Sequence, residues 1–254
     1  MQLTIDDKQV TAEQGQTLLE VARAHDIPIP TLCYHESLEA RGSCRLCLVE
    51  IRKPKWPGWK RLVASCVYPA EEGLEVRTAT EEIVGIRKTL IDLLLARCPK
   101  NPEIVELARA YGIEQTSYAV LDATRQCILC GQCVRVCEDI IGASAIGMYG
   151  RGAGKKVGPA YGKAAETCIG CGACAFVCPT RCIQVIDEGL TRRIPRWNVE
   201  FELVPCRICG KPVSTRKHID FVRGRVSAGP EVLETCSDCL RAYYGAKVAA
   251  EGHM

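Results

Sequence analysis

Apolar and polar positions alternate over short stretches near the N-terminus. Leu3 to Ile5 and Val10 flank Asp6-Asp7-Lys8, which predicts a hairpin with that polar turn at its tip. From Thr17 to Ala24 the apolar positions Leu18, Val21 and Ala22 fall at helical spacing, so an amphipathic helix is expected there. Short strands are expected at Leu46 to Ile51, Leu62 to Ala64 and Leu74 to Arg77, making residues 1–79 a small mixed β and α unit. Thr80 then opens a helical pattern that runs to Arg97, with Glu81 and Glu82 in the first turn, where the helix dipole favours acids. A second helix is expected from Pro102 to Tyr111, because proline suits a first helical position and Gly112 suits the stop. The longest compact apolar stretch, Leu90 to Ala96, contains Asp92 and falls far short of the roughly 18 residues of a membrane span.

Composition narrows the class. A chain of 254 residues with 47% hydrophobic positions buries a real core, yet its 18 cysteines are crowded into short blocks, which points to several small modules. Charge is nearly balanced, 33 basic against 30 acidic residues, so neither nucleic acid nor a membrane surface is indicated as a partner. The opening MQLTIDDKQV lacks the basic and apolar regions of a secretory signal, so a cytoplasmic protein is expected. In a reducing compartment, repeated Cys-x-x-Cys units read as metal or cluster ligands rather than as disulfides.

Cys33, Cys44, Cys47 and Cys66 form the first constellation, separated by ten, two and eighteen residues in TLCYHESLEARGSCRLCLVE and SCVYP. Four thiolates on loops of one small domain can hold a [2Fe-2S] cluster, since soft sulfur ligands suit iron pairs. The spacing departs from the plant-type ferredoxin arrangement, and a zinc site is the alternative. The second constellation is stronger. Cys127, Cys130, Cys133 and Cys137 repeat as Cys168, Cys171, Cys174 and Cys178, with Pro179 after the last, matching the bacterial two-cluster ferredoxin run. In that run the fourth cysteine of each block ligates the other cluster. Cys127, Cys130, Cys133 and Cys178 are therefore expected to hold one [4Fe-4S] cluster, and Cys137, Cys168, Cys171 and Cys174 the other. Gly131, Gly170, Gly172 and Ala173 leave room for loops that wrap a cluster. Between the blocks, Glu138 to Thr167 reads as a flexible connection; its GMYGRGAGKKVG lacks both the GxGxxG spacing and a Gly-Lys pair followed by Ser or Thr.

The order of these motifs, with PTLCYH and a Gly-x-Cys-Arg-x-Cys loop in the first, resembles the N-terminal part of the large iron–sulfur subunit of respiratory complex I and the diaphorase iron–sulfur subunits of NAD-reducing [NiFe] hydrogenases. The likeness runs over roughly residues 1–185. It implies an α+β architecture: a [2Fe-2S] β-grasp domain over 1–79, a helical linker over 80–120 and a two-[4Fe-4S] ferredoxin domain over 121–190. Many relatives hold a further [4Fe-4S] cluster in the linker through one histidine and three cysteines. Here LLLARCPKNPEIVELARAYGI keeps Cys98 alone, so that site is lost and Cys98 is expected to be structural.

Residues 191–254 form a tail with Cys206, Cys209, Cys236 and Cys239, two Cys-x-x-Cys knuckles twenty-six residues apart. This spacing suits a zinc-ribbon-like structural zinc site, with a third [4Fe-4S] cluster as the alternative. His35 beside Cys33 and His218 between the knuckles are expected not to ligate, because four cysteines already satisfy each site. Cys182 is expected to be a buried thiol. Trp56 and Trp59 form either an exposed patch or part of the first domain's core.

Thiolate-bound clusters exchange one electron with little rearrangement, and several in line make a conductor. Neither a dinucleotide fingerprint nor an acid–base pair accompanies them, so the chain is read as a non-catalytic electron-transfer subunit. The resemblance implies a flavoprotein NADH-binding subunit, a small thioredoxin-like [2Fe-2S] subunit and a terminal redox enzyme such as a [NiFe] hydrogenase or formate dehydrogenase as partners. A redox-sensing adaptor is the alternative, disfavoured because a sensor needs only one labile cluster.

Overall fold

The computed structural model describes residues 1–251, which fall into two compact units, 1–132 and 133–251. In the first unit β1 (Gln2–Ile5) and β2 (Lys8–Thr11) form the expected hairpin, closed by Asp6 and Asp7 in left-handed conformations that short polar side chains tolerate. Strands β3 (Leu48–Arg52), β4 (Lys60–Ala64) and β5 (Glu75–Arg77) complete a sheet of order β2-β1-β5-β3-β4, in which only the β1–β5 pairing is parallel. Helix α1 (Leu18–Ala24) supplies Leu18, Leu19, Val21 and Ala22 to the unit's core together with Leu3, Ile5, Val49, Ile51 and Val76. Seven residues are too few to hold a helix in isolation, so its stability comes from that burial, about 1.5–3 kcal/mol per large apolar side chain. Thr17 and Glu20 add a reciprocal capping box at its start.

Helix α2 (Glu81–Arg97) starts at the Thr80 cap, and α3 (Pro102–Ala110) starts at the Asn101 cap with Pro102 in its first turn. Ile91, Leu95, Cys98, Ile104 and Ala108 from this pair enclose Leu46, which lies in the cysteine-bearing loop before β3. Arg87 of α2 is buried and donates from Nε to the Leu46 carbonyl and from Nη2 to the Leu48 carbonyl, both at 2.8 Å. Those two bonds and the Leu46 contact tie the helices to the residues on either side of Cys47. Cys98 is fully buried in this cluster.

In the second unit α4 (Gln132–Arg135) runs into a π-helical turn over Val136–Ile140. The segment read as a flexible connection carries a hairpin of its own, β6 (Gly147–Tyr149) paired with β7 (Lys156–Gly158). After α5 (Ala173–Phe176) comes an antiparallel meander of β8 (Ile186–Glu188), β9 (Thr191–Ile194), β10 (Val199–Pro205) and β11 (Pro212–Thr215). Helices α6 (Arg216–Arg223), α7 (Pro230–Leu233) and α8 (Ser237–Glu251) close the unit. Among the described residues no helix is long and apolar enough to cross a membrane.

Candidate cluster and metal sites

Three of the four thiols in the first set are buried: Cys33, Cys47 and Cys66. They pair in space as Cys33 with Cys44 and Cys47 with Cys66. The Cys44 amide donates to the Cys33 sulfur at 3.2 Å, and the Cys47 and Cys66 sulfurs lie 3.4 Å apart. Hydrogen bonding from Cys33 draws the Cys44 thiol down to about 5, while the same contact pushes Cys33 up. Cys66 likewise draws Cys47 down to about 7 and is itself raised. Two adjacent pairs of sulfurs, each with one thiol drawn toward ionisation, fit a two-iron group. Ser65 is fully buried beside Cys66, and hydrogen bonding from its side chain also lowers the Cys47 thiol. His35 instead accepts the Ser37 amide at its Nδ1, 3.2 Å away.

Of the second constellation, the second unit brings Cys137, Cys168, Cys171 and Cys174 to the wall of one cavity, shared with Ile146, Ala173, Ile194 and Trp197. Cys137 comes from the first motif and the other three from the second, so these four thiols converge across the two blocks. Burial pushes the Cys137 and Cys168 thiols up and takes Cys174 up to about 11. Opposing that, the Trp197 indole N–H donates to the Cys174 sulfur at 3.3 Å. Four sulfur donors in an otherwise apolar wall suit a four-iron cluster, whose soft metals take thiolates.

The meander built by β8–β11 forms the far side of this site. Gly170 adopts φ +69°, and a Cβ there would sit 2.7 Å from the Phe201 and Thr215 side chains, so only glycine lets the sheet approach. Arg192 donates to the Gly170 carbonyl at 3.0 Å while Asp187 grips its Nε and Nη2, Thr215 donates to the Ile169 carbonyl, and Lys217 donates to the Glu166 carbonyl at 2.6 Å. Sequence reading missed this sheet and Trp197. A signal was present in the alternation of Val199, Phe201 and Leu203 with Glu200 and Glu202.

Cys127 and Cys130 lie at the end of the first unit, where Arg97 donates to the Cys127 carbonyl at 2.8 Å and the Leu129 amide to the Cys127 sulfur at 3.4 Å. Cys133 is buried on α4. Cys178 accepts hydrogen bonding from Cys182, 3.7 Å away between sulfurs, which draws Cys178 down to about 5. Cys182 is half-buried against this sulfur instead of being a core thiol.

In the tail, one sulfur from each of Cys206, Cys209, Cys236 and Cys239 lies within 4.8 Å of every other, and Cys209 and Cys236 approach to 3.6 Å. Backbone amides of Cys236 and Cys209 draw the Cys206 thiol down to about 6, whereas hydrogen bonding to Cys236 and Cys209 lifts Cys239 to about 12. A tetrahedron with zinc–sulfur bonds of about 2.3 Å has edges near 3.8 Å, so this spacing fits one metal ion better than a four-iron cube. His218 stands outside the group and bonds Ser214 through Nδ1 at 2.7 Å. Trp59 packs on the first unit's core, and Trp56 stands exposed beside it in edge-to-face contact at 5.8 Å.

Two family models match parts of this chain. Residues 1–81 match the 2Fe-2S iron-sulfur cluster binding domain, and residues 126–182 match the 4Fe-4S dicluster domain. A subunit of an NADH-quinone oxidoreductase of Rhizobium meliloti is 33% identical over an alignment spanning 96% of this chain and 31% of that protein. The HndD subunit of the NADP-reducing hydrogenase of Solidesulfovibrio fructosivorans is 31% identical over 70% of this chain and 35% of its own length. The alpha subunit of the NADPH-Fe(3+) oxidoreductase of Geobacter sulfurreducens is 30% identical over 96% and 31%. The chain thus spans about a third of the length of these curated relatives. Among solved structures, a chain of an NAD+-reducing [NiFe]-hydrogenase in the H2-reduced state superposes with a TM-score of 0.54 at 31% identity, over 63% of this chain and 74% of that one.

Proposed function

Because the chain belongs to the family that joins the N-terminal part of the complex I large subunit with the iron–sulfur subunits of NAD-linked hydrogenases, we propose that it relays single electrons within a multisubunit NAD(P)(H)-linked oxidoreductase. The meeting of Cys137 with Cys168, Cys171 and Cys174 around one cavity carries this reading, since crossed ligation is the mark of a two-cluster ferredoxin. In the proposed assignment Cys33, Cys44, Cys47 and Cys66 hold a [2Fe-2S] cluster. Cys127, Cys130, Cys133 and Cys178 hold one [4Fe-4S] cluster, and Cys137, Cys168, Cys171 and Cys174 the other. Cys206, Cys209, Cys236 and Cys239 hold zinc, a choice supported by their close sulfur spacing. When bound, the clusters supply one-electron redox chemistry. The protein's own part is to hold the thiolates in fixed geometry, keep water from the sulfurs and set the polarity around them.

The partners in this reading are a flavoprotein that oxidises or reduces nicotinamide, a small thioredoxin-like [2Fe-2S] subunit and a terminal enzyme of hydrogenase or formate dehydrogenase type, all in the cytoplasm. Anaerobically purified protein is expected to contain about ten irons and one zinc per chain, with two-iron and four-iron signals on reduction by electron paramagnetic resonance. About fourteen irons without zinc would overturn the tail assignment, and iron-free protein would overturn the relay.

A further inference from the structure

We propose that Trp197 sets the reduction potential of the cluster at Cys137, Cys168, Cys171 and Cys174 by donating its indole N–H to the Cys174 thiolate. The inference rests on the cluster assignment above and adds a residue that lies beyond the matched dicluster segment, residues 126–182. Trp197 is 1% exposed, and its Nε1 stands 3.3 Å from the Cys174 sulfur, within the same cavity wall. An indole nitrogen only donates, and a buried donor left without a partner is costly, so this side chain is matched to an acceptor at that point.

The donor is also held in place. Trp197 ends the short 3₁₀ turn Pro195–Trp197 between β9 and β10, with Asn198 after it in a left-handed conformation and the Arg196 guanidinium 5.5 Å from its ring. The two strands are bonded in register from Ile194–Val199 to Thr191–Glu202, and Arg192 fastens β9 to the Gly170 carbonyl of the cysteine loop. A fixed N–H pointing at a ligand sulfur favours the more negative state of the cluster, which is the reduced one. The bond therefore raises this centre's potential above what an all-carbon wall would give.

The test is potentiometry followed by electron paramagnetic resonance on the full chain, unaltered and as Trp197→Phe, which keeps the ring and removes the donor. The expected result is unchanged iron content with one four-iron midpoint moved to more negative potential. The shift expected is about fivefold to tenfold in the one-electron equilibrium, or roughly 40–60 mV at 59 mV per tenfold. Four-iron midpoints that stay in place at full iron content overturn the proposal. A second measurement keeps Trp197 in place. Protein labelled with ¹⁵N-indole tryptophan in a Trp56→Phe, Trp59→Phe background is expected to show nitrogen coupling in a reduced four-iron signal by pulsed resonance, and its absence overturns the proposal. Loss of every four-iron signal from the unaltered protein would instead sink the cluster assignment, and the role of Trp197 with it.

Discussion

In the proposed assignment Cys137 is the residue on which the two ferredoxin motifs depend on each other. It follows Cys133 by four positions in sequence, yet it lines the same cavity as Cys168, Cys171 and Cys174. The Ala145 amide donates to its sulfur at 3.3 Å, and the Ala143 and Ser144 amides donate to its carbonyl, so the chain after it is folded back to hold that thiol in place. Glu138 stands where a proline is usual, and the π-helical turn Val136–Ile140 makes the exit instead. Cys137→Ser is expected to damage the centre shared with the second motif, with loss of about one four-iron signal and up to about four irons per chain. Resonance spectra of the reduced variant, with iron analysis, check this. Damage confined to the centre of Cys127, Cys130 and Cys133 would refute the crossed arrangement. These residues were legible because ligand spacing is a one-dimensional signal. Trp197 was not, because its chemistry exists only once β9 and β10 bring a distant indole to Cys174.

At the scale of elements, the first unit follows its sequence closely, and for identifiable reasons. The hairpin, α1, α2 and α3 each carry their own stop and start signals: Asp6-Asp7, the Thr17 cap, the Thr80 cap, and Asn101-Pro102. The expected strand from Leu46 loses its first two residues, because Leu46 is drawn into the core of α2 and α3 and the ladder begins only at Leu48. The β8–β11 meander escaped notice since three of its strands are only three or four residues long, too short for periodicity to stand out. Arg87 joins two elements in a way no local pattern reveals. Its guanidinium meets two carbonyls that flank Cys47 from a helix forty positions away. Arg87→Met keeps most of the packing volume and removes both donors, leaving buried carbonyls short of a partner at a cost of about 2–3 kcal/mol. The variant is expected to unfold at lower denaturant and to bleach its two-iron absorption faster than the four-iron absorption, and Arg87→Lys to recover part of the loss. Equal bleaching of all centres would show that Arg87 supports the fold in general and not the Cys47 loop.

For the whole molecule, the question is where two-electron chemistry becomes one-electron flow. Hydride transfer moves two electrons and a proton together, whereas each thiolate-bound cluster takes one electron, so a flavin is needed to split the pair. The sequence carries neither a dinucleotide fingerprint nor a glycine-rich phosphate loop, and its cysteine sets account for 16 of the 18 thiols, leaving Cys98 and Cys182. In the proposed assignment every repeated motif in the chain holds metal. The purified chain is accordingly expected not to oxidise NADH or NADPH with a viologen dye as acceptor, and to become reduced by either only when a nicotinamide-oxidising flavoprotein of the complex I type is added. The rate is then expected to rise by orders of magnitude and to saturate with flavoprotein, because transfer requires docking and not mere collision with free flavin. Stopped-flow absorbance of the clusters, with and without the flavoprotein, measures both parts. Turnover by the isolated chain would place a two-electron site within it and replace the relay with an enzyme; saturation by free flavin alone would remove the need for a docked partner.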